Sequence, residues 1–465
     1  MHHQTDYLLV GGGASAMAFA DTLLSETDAH ITIVDRGHSP GGHWNSAYPF
    51  VRLHQPSAFY GVASRALGEQ QTDTLGGNAG LNELATGAEI CGYFQSLMHQ
   101  RFLPSGRVTY LPNCEMAEDG TARCLISGAR HSFDIARKTV MTCLHSGETP
   151  RNHTRAFEVE GVECVTPSAL AERSEPAAQY VILGGGKTGM DVALWLLGRG
   201  VEAASITWIM PRDAWLLDRR FFQPGEEFND FRMQNTLNEF EAIIGAPDLD
   251  AMFDRLEARG NLLRLDSDVR PTAYKCATVT KAELNQLREI RDVVRMGHVE
   301  SISPGKVTLA GGAIAPPKGA LYIDCTANGL TTLRDTPIFE PGKITLQPVR
   351  VCQPTFSAAL IAYLESLDRD DAAKNALCIP IPYPSSAEDW APMYFTGYQN
   401  HIAWQQDPAL KAWLKSCRLD MASAARRPAE VSDAARANAA SIRQSFFPAM
   451  VQLKKLAGSV AARDE

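Results

Sequence analysis

Two glycine-rich turns of one kind, 173 residues apart, constrain this chain of 465 residues more than any other feature. The first is Gly11-Gly12-Gly13-Ala14-Ser15-Ala16, after the apolar run Tyr7-Leu8-Leu9-Val10. The second is Gly184-Gly185-Gly186-Lys187-Thr188-Gly189, after Tyr180-Val181-Ile182-Leu183. Each places G-x-G-x-x-G or G-x-G-x-x-A between a strand pattern and a helix pattern, the fingerprint of a dinucleotide-binding unit. Gly11 allows the tight turn, Gly13 lets backbone approach a pyrophosphate, and Ala16 lets helix pack on strand. Free N–H groups at the helix start then bind the phosphates. One copy is weak evidence. Two copies at corresponding junctions imply two nucleotide cofactors in one chain, with electrons passing between them.

The strand after each turn separates the two units. Ile31-Thr32-Ile33-Val34 ends on Asp35, 24 residues beyond Gly11. That is close to the roughly 20 residues between such a turn and the acid that grips a ribose 2′-hydroxyl. Arg36 comes next. After the second strand pattern, Ser205–Met210, there is no corresponding acid; the chain offers Thr207-Trp208 and then Arg212. A cation in place of an acid favours a 2′-phosphate, hence NADPH over NADH, with Lys187 and Thr188 as further contacts.

The remaining pattern expects helices over 14–25, after Gly189 and over 89–101, and strands over 108–111 and 139–143. A Gly/Pro-bearing crossover covers 145–155. Residues 213–290 read as polar and helical, with aromatics at Trp215, Phe221, Phe222, Phe228 and Phe231. Residues 298–310 read as a hairpin. Residues 321–326 read as a strand returning to the first unit. Val351–Thr355 opens an apolar helix over 356–364. From 409 onward the pattern is helical, and 422–440 reads as a solvated helix. The expected fold class is α/β: two Rossmann-like units, the second inserted in the first, with a helical C-terminal extension. The boundaries are 1–160 and 321–395 for the first unit, 161–320 for the second and 396–465 for the extension.

Several classes are excluded or disfavoured. A formal net charge of -9 speaks against a nucleic-acid partner. No run of about 18 apolar residues predicts a membrane span. The apolar N-terminus lacks a basic flank and is broken by Gly11-Gly12-Gly13, so it reads as a strand rather than a signal peptide. The expected location is the cytoplasm, where the 10 cysteines would stay reduced. No C-x-x-C pair marks a redox dithiol or a zinc site. There is no G-x-S-x-G elbow and no histidine pair at metal-ligand spacing. His2 and His3 read as a frayed end. Lys275 and Arg270 read as solvated charges. Nothing in the sequence sets the oligomeric state.

The loop after Asp35 carries a resemblance. Gly41-Gly42-His43-Trp44, Tyr48-Pro49 and Val51-Arg52-Leu53-His54-Gln55-Pro56 are similar to the G-G-x-W … Y-P … R-L-x-x-P stretch of flavin-containing monooxygenases and their Baeyer–Villiger relatives. The chain departs from that pattern in two places. The linker motif F-x-G-x-x-x-H is replaced by Phe157–Cys164, without the histidine. The A-T-G signature is degenerate in Met141-Thr142-Cys143 and in Cys325–Gly329. The resemblance therefore reaches the superfamily and neither branch.

It implies FAD in the first unit, held by Gly11, Gly13, Ala14, Ser15, Ala16, Asp35, Arg36, Gly42, Trp44 and Gln55. It implies NADPH in the second, held by Gly184, Gly186, Lys187, Thr188, Gly189 and Arg212. Trp44 would lie beside the isoalloxazine, Arg52 would stabilise the reduced anionic ring, and Gln55 would bond its edge, making Arg52 and Gln55 the candidate catalytic residues. The helix N-terminus at Val351–Thr355 could face the same flavin edge. The implied activity is a single-component monooxygenase, using NADPH, O2 and a C4a-(hydro)peroxyflavin to oxygenate a small molecule of specialised metabolism. Residues 215–231 would help to form its pocket. Three alternatives remain open: an NADPH oxidase or reductase without oxygen transfer, a flavin-dependent halogenase, and a nucleotide-binding protein without redox chemistry.

Overall fold

The computed structural model describes residues 1–142, 148–329, 336–421 and 433–464. The chain opens with β1 (His2–Val10), α1 (Ala14–Glu26) and β2 (Ile31–Val34), with β1 and β2 parallel and Leu9 opposite Ile33. α2 (Gly87–Leu97) starts on a capping box between Thr86 and Glu89. β3 (Val108–Leu111) extends the sheet beyond β2. β4 (Cys114–Met116) and β5 (Ala122–Cys124) make an antiparallel flap leading into β6 (Arg130–Thr142), which lies parallel to the other edge of β1.

The chain then leaves this sheet. β7 (Glu158–Val159), β8 (Cys164–Val165) and α3 (Pro167–Ala171) precede the second strand–turn–helix, β9 (Tyr180–Leu183) and α4 (Lys187–Gly198). β10 (Ile206–Ile209), β11 (Ala214–Asp218), α5 (Asn229–Ile244), α6 (Leu249–Ala258), β12 (Leu262–Leu263), β13 (Ala273–Val279), α7 (Lys281–Leu287) and β14 (Asp292–Val294) come after it. The hairpin of β15 (Val299–Ser303) and β16 (Lys306–Leu309), with β17 (Gly312–Ile314), leads to β18 (Leu321–Asp324). The second sheet runs β14-β10-β9-β18-β8 and is parallel throughout.

The first sheet resumes with β19 (Phe339–Glu340) and β20 (Lys343–Leu346), the latter parallel to β6, giving the order β19-β20-β6-β1-β2-β3. α8 (Pro354–Ser366) then packs on α1. α9 (Asp371–Ala376), α10 (Trp390–Gln406), α11 (Pro408–Ser416) and α12 (Asp433–Asp464) complete the chain. The fold is thus α/β, with two Rossmann-like parallel sheets, one interrupted by the other, and a helical C-terminal region.

α1 and α8 are apolar on nearly every face because each is covered on all sides. Ala16, Phe19 and Leu23 meet Phe356, Leu360 and Leu364 in one core, all fully buried. Burying one such large side chain contributes about 2 kcal/mol. Small residues such as Ala16, Ala20, Ala359 and Ala362 let the helices approach closely.

The structure corrects four expectations. His2 and His3 are not a frayed end. β6 is long enough to carry the pairing out to them, and His2 bonds Ser132 and Asp134 while His3 bonds His131. Leu321–Asp324 does not return to the first sheet but pairs with β9 and β8 of the second. Residues 213–290 are not all helical: β11, β12 and β13 form their own small sheet, because Trp215 and Tyr274 bury inside it. The second helix starts at Lys187, so Lys187, Thr188 and Gly189 form its first turn. α12 packs Ala449, Leu453 and Leu456 against α5 and α10, while residues 436–440, within the expected solvated helix, are exposed or half-buried. Residues 422–432 of the expected solvated helix, 145–147 of the expected crossover, and Cys143 lie outside the described residues.

Candidate functional site

Among the described residues, six α-helices satisfy a first-turn N–H group with their own N-cap side chain. Thr86, Thr166, Asp248, Thr280, Asp370 and Asp407 do so for α2, α3, α6, α7, α9 and α11. The two helices after the glycine turns do not, nor do α5, α8 and α10, but of these five only the two glycine turns leave a side-chain-free approach to the helix start. Gly13 caps α1 and Gly186 caps α4, with no side-chain hydrogen bond. Their first-turn donors and the positive end of each helix dipole are left for an anion. Ala14 and Ser15 open α1, and Ala16 is fully buried against the strand.

The loop after Asp35 folds back over the first turn. The Gly41 amide donates to the Gly12 carbonyl at 2.9 Å, and Gly42 lies so close that a Cβ there would sit 2.8 Å from the Gly13 Cα. Asp35 is 8% exposed at the end of β2. One of its oxygens accepts from the Gly37 amide at 3.0 Å; Oδ2 lies against Gly12 but accepts no hydrogen bond of good geometry. Burial raises its pKa, and the amides of Gly37 and Gly12 oppose this. A buried carboxylate oxygen without a donor is costly, and a ribose hydroxyl supplies the missing donor. This pocket therefore fits the adenosine end of a dinucleotide.

The other first-unit candidates are placed less uniformly. Trp44 is half-buried, and its Nε1 donates to the Tyr60 hydroxyl at 2.7 Å. Gln55 is half-buried in the same loop. Arg52 is exposed, bridges to Thr86 through backbone, and forms no ion pair among the described residues. The guanidinium expected to be fixed is thus not fixed by a protein partner. Arg36 points outward to Glu115 at 3.2 Å with 77% of its side chain exposed, so it does not join Asp35 in the pocket.

In the second unit, a Cβ at Gly189 would meet the Gly184 carbonyl at 2.2 Å, which demands glycine. Lys187 is not a free cation: it pairs with Asp191 one helical turn on, and Asp191 Oδ2 accepts from the Tyr48 hydroxyl at 2.6 Å. Thr188 adds a hydrogen bond to Tyr48. Arg212 is exposed beyond β10, its carbonyl near Gly185. Lys275, set aside on sequence, is close enough to Arg212 that burial and this repulsion lower its pKa. Two cations beside an uncapped helix fit a 2′-phosphate.

Sequence reasoning passed over the residues that join the two units. His54, in the same loop as Arg52 and Gln55, accepts from the Thr278 amide through Nδ1 at 3.2 Å, while its carbonyl accepts from Arg219 Nε at 3.0 Å. Burial, with the charges of Lys187 and Arg219, lowers its pKa to about 3. It is therefore a neutral ring with Nε2–H as a donor. Arg219 is itself buried and pairs with Glu283 at 2.8 Å. Phe50 stacks on Trp195 with ring centroids 4.7 Å apart. The signal available in sequence was His54 within the same motif as Arg52; its partners are more than a hundred residues away.

One cysteine pair departs from expectation. Cys276 of β13 and Cys352, just before α8, are joined by a disulfide across 76 residues. Both hold left-handed backbone, with φ of 54° and 53°. Strain of this kind in non-glycine residues gathers at functional positions. No spacing motif announces it, because the fold brings the two together. Next to it, Gln353 caps α8 with its Oε1 buried and unpartnered. Among the described residues there is no metal-ligand cluster, and no helix is long and apolar enough to cross a membrane.

Residues 9–61 match the NAD(P)-binding Rossmann-like domain family. A flavin monooxygenase from Stenotrophomonas maltophilia shares 15% identity over 78% of this chain and 98% of its own, with a TM-score of 0.46. Cyclohexanone-bound cyclohexanone monooxygenase shares 13% identity over 81% of this chain and 88% of its own, with a TM-score of 0.48. The uncharacterized proteins Rv2000 of Mycobacterium tuberculosis and Mb2023 of Mycobacterium bovis are each 48% identical over 419 residues, covering 90% of this chain and 78% of theirs. With this identity over nearly its whole length, the chain belongs to the same family as Rv2000.

Proposed function

We propose that this chain is a single-component FAD- and NADPH-dependent monooxygenase that oxygenates a small molecule with O2. The observation that carries it is the pair of uncapped strand–turn–helix junctions, one closed by an orphaned acid and the other flanked by cations. The loop motif from Gly41 to Pro56, with its resemblance to flavoprotein monooxygenases, agrees with this.

In this reading the amides of Ala14, Ser15 and Ala16 hold the FAD pyrophosphate, and Asp35 Oδ2 takes a ribose hydroxyl. Gly42, Trp44 and Gln55 line the ring end, and Arg52 is free to move toward it. The first turn of α4, with Gly184, Gly186, Thr188 and Gly189, holds the NADPH pyrophosphate. Arg212, with Lys275, holds its 2′-phosphate. Bound FAD supplies the hydride acceptor and the means of activating O2. His54 stays neutral throughout and presents Nε2–H between the units. The Tyr48–Asp191–Lys187 knot and the Arg219–Glu283 pair keep the two units together and exclude water, which would divert turnover to hydrogen peroxide. No protein nucleophile is required.

A second reading, an NADPH-driven reductase, draws on the Cys276–Cys352 disulfide as an electron acceptor beside α8. One experiment separates them. The purified chain is loaded with FAD, reduced anaerobically with NADPH, and then given air and candidate substrates. Flavin bleaching followed by oxygenated product in excess of hydrogen peroxide supports the monooxygenase. Bleaching that yields peroxide alone, or two new thiols per chain, supports the second reading. A chain that takes up no FAD overturns both.

A further inference from the structure

The helical elements outside the two glycine turns enclose a cavity of about 420 Å³. Phe59 of the first unit and Leu217, Phe221 and Phe222 of the second form its apolar walls; Tyr394 and Tyr398 of α10 close it. Met421, whose sulfur lies against the Gln353 amide at the start of α8, completes one side. The cavity therefore spans both units. α12 backs it, with Phe446 packed on Phe240 and Tyr398.

One acid faces this space. Glu239 of α5 lines the cavity, and its Oε1 accepts from the Tyr398 hydroxyl at 2.9 Å. Among the described residues no Lys, Arg or His forms an ion pair with it. Arg232, two turns earlier on α5, lines the same cavity; its two terminal nitrogens are given to the carbonyls of Gln223 and Gly225 and to Asn229, while its Nε is buried without a partner. Burial raises the Glu239 pKa to about 7, with only the Tyr398 bond opposing. An enclosed acid with one hydroxyl donor and no cation is half of an ion pair. Acids are rarely kept in such places without a partner.

We propose that this cavity binds a hydrophobic organic cation, with its aromatic or branched body among Phe59, Phe221 and Phe222 and its protonated nitrogen on the Glu239 carboxylate. The aromatic faces add cation–π attraction that a neutral ligand lacks. Glu239 disfavours a ligand carboxylate, and a neutral alcohol gains only a hydrogen bond. The inference rests on the monooxygenase reading only in making this cation the substrate; the binding itself does not.

The test is direct binding to the full chain, with and without FAD, by calorimetry. The probes are 2-phenylethylamine and tryptamine, their alcohol counterparts 2-phenylethanol and tryptophol, and 3-phenylpropanoate. The amines are expected to bind at least about tenfold more tightly than the alcohols, with the carboxylate weakest. In Glu239→Gln the amine preference disappears while the alcohols bind within about twofold of the parent, which shows that the cavity survives. Tyr398→Phe keeps the preference. Equal binding of amine and alcohol by the parent overturns the proposal. So does a preference that survives in Glu239→Gln, or no binding up to millimolar concentration. Flavin bleaching by NADPH is read on the same samples. Amine preference without bleaching overturns the monooxygenase reading alone; bleaching without amine preference overturns this one alone.

Discussion

The two glycine turns begin alike and end differently. In both, a largely buried strand segment runs into a glycine turn and then into a helix with no side-chain cap. After the next strand they part. The first unit places Asp35 inward, buried and missing a donor. The second uses its corresponding polar positions internally: Thr207 donates to Asp292 at 2.6 Å, and Trp208 Nε1 donates to the Gly184 carbonyl at 2.9 Å. Charge is left only outside, on Arg212. In the proposed reading the turn takes a pyrophosphate in either unit, while the end of the second strand selects the ribose.

The largest effect expected is at the helix-packing position of each turn. The first unit has Ala16 there and accommodates a Cβ; the second has Gly189, where a Cβ would overlap the Gly184 carbonyl. Gly189→Ala is expected to weaken NADPH binding by about 100-fold or more, through overpacking worth roughly 3 kcal/mol. FAD retention should be unchanged. Gly42→Ala is the mirror experiment: its Cβ would press on Gly13, and FAD should be lost while NADPH binding persists. Equilibrium dialysis of each cofactor reads both. If either substitution lowered both affinities together, the units would not be independent binding sites.

The enclosed acids extend the comparison to stability. Glu239 has its pKa raised to about 7 from 4.5. The native chain therefore holds this proton more tightly than the unfolded chain. The stabilisation is full below about pH 4.5 and is lost as pH rises through about 7. Above that, keeping Glu239 enclosed costs about 3 kcal/mol. Glu239→Gln should therefore raise stability by about that amount at alkaline pH and leave it nearly unchanged in acid, as urea unfolding at the two extremes would show. Asp35, whose shift has the same direction and cause, should behave likewise when FAD is absent.

With FAD present, Asp35 matters differently. Asp35→Asn removes a charge-assisted acceptor for the ribose and is expected to weaken FAD binding about tenfold, close to 1.4 kcal/mol, with NADPH affinity untouched. An equal loss for both cofactors would assign Asp35 to the fold rather than to the ribose.

How much of this was legible in the sequence depended on distance along the chain. Local chemistry was readable. The glycine turns, Asp35 at the end of its strand, the 299–309 hairpin and the missing second acid all lie where their patterns place them. Long-range partners were not. β18 has the same apolar pattern whichever sheet it joins, and only its pairing with β9 decides. β11 and β13 sit in a polar stretch whose helical period hid two short buried strands. His54 looked ordinary until Thr278, Arg219 and Lys187 surrounded it. Glu239 sits among polar residues of α5, and nothing local tells an acid that faces a cavity from one that faces water. The disulfide is the extreme case, since neither cysteine has a neighbour in sequence that marks it.

The smallest effect concerns the arginines just past each second strand. Arg36 and Arg212 occupy similar places in sequence but different ones in space. Arg36 is turned to Glu115 on the surface, whereas Arg212 stands with Lys275 beside the second turn. Arg212→Ala should reduce the preference for NADPH over NADH by about fivefold, roughly 1 kcal/mol, because an exposed cation on a phosphate is screened by water and salt. Lys275→Ala should do less alone. The double substitution should exceed the larger single effect without reaching their sum, since relief of the Arg212–Lys275 repulsion returns part of the loss. Arg36→Ala should change neither FAD retention nor nucleotide preference. The kcat/KM ratio for flavin reduction by the two nucleotides decides it, at low and at high salt. A preference that survives Arg212→Ala at low salt would remove the cation from the ribose end and leave the second turn with no reader of the 2′-phosphate except the helix itself.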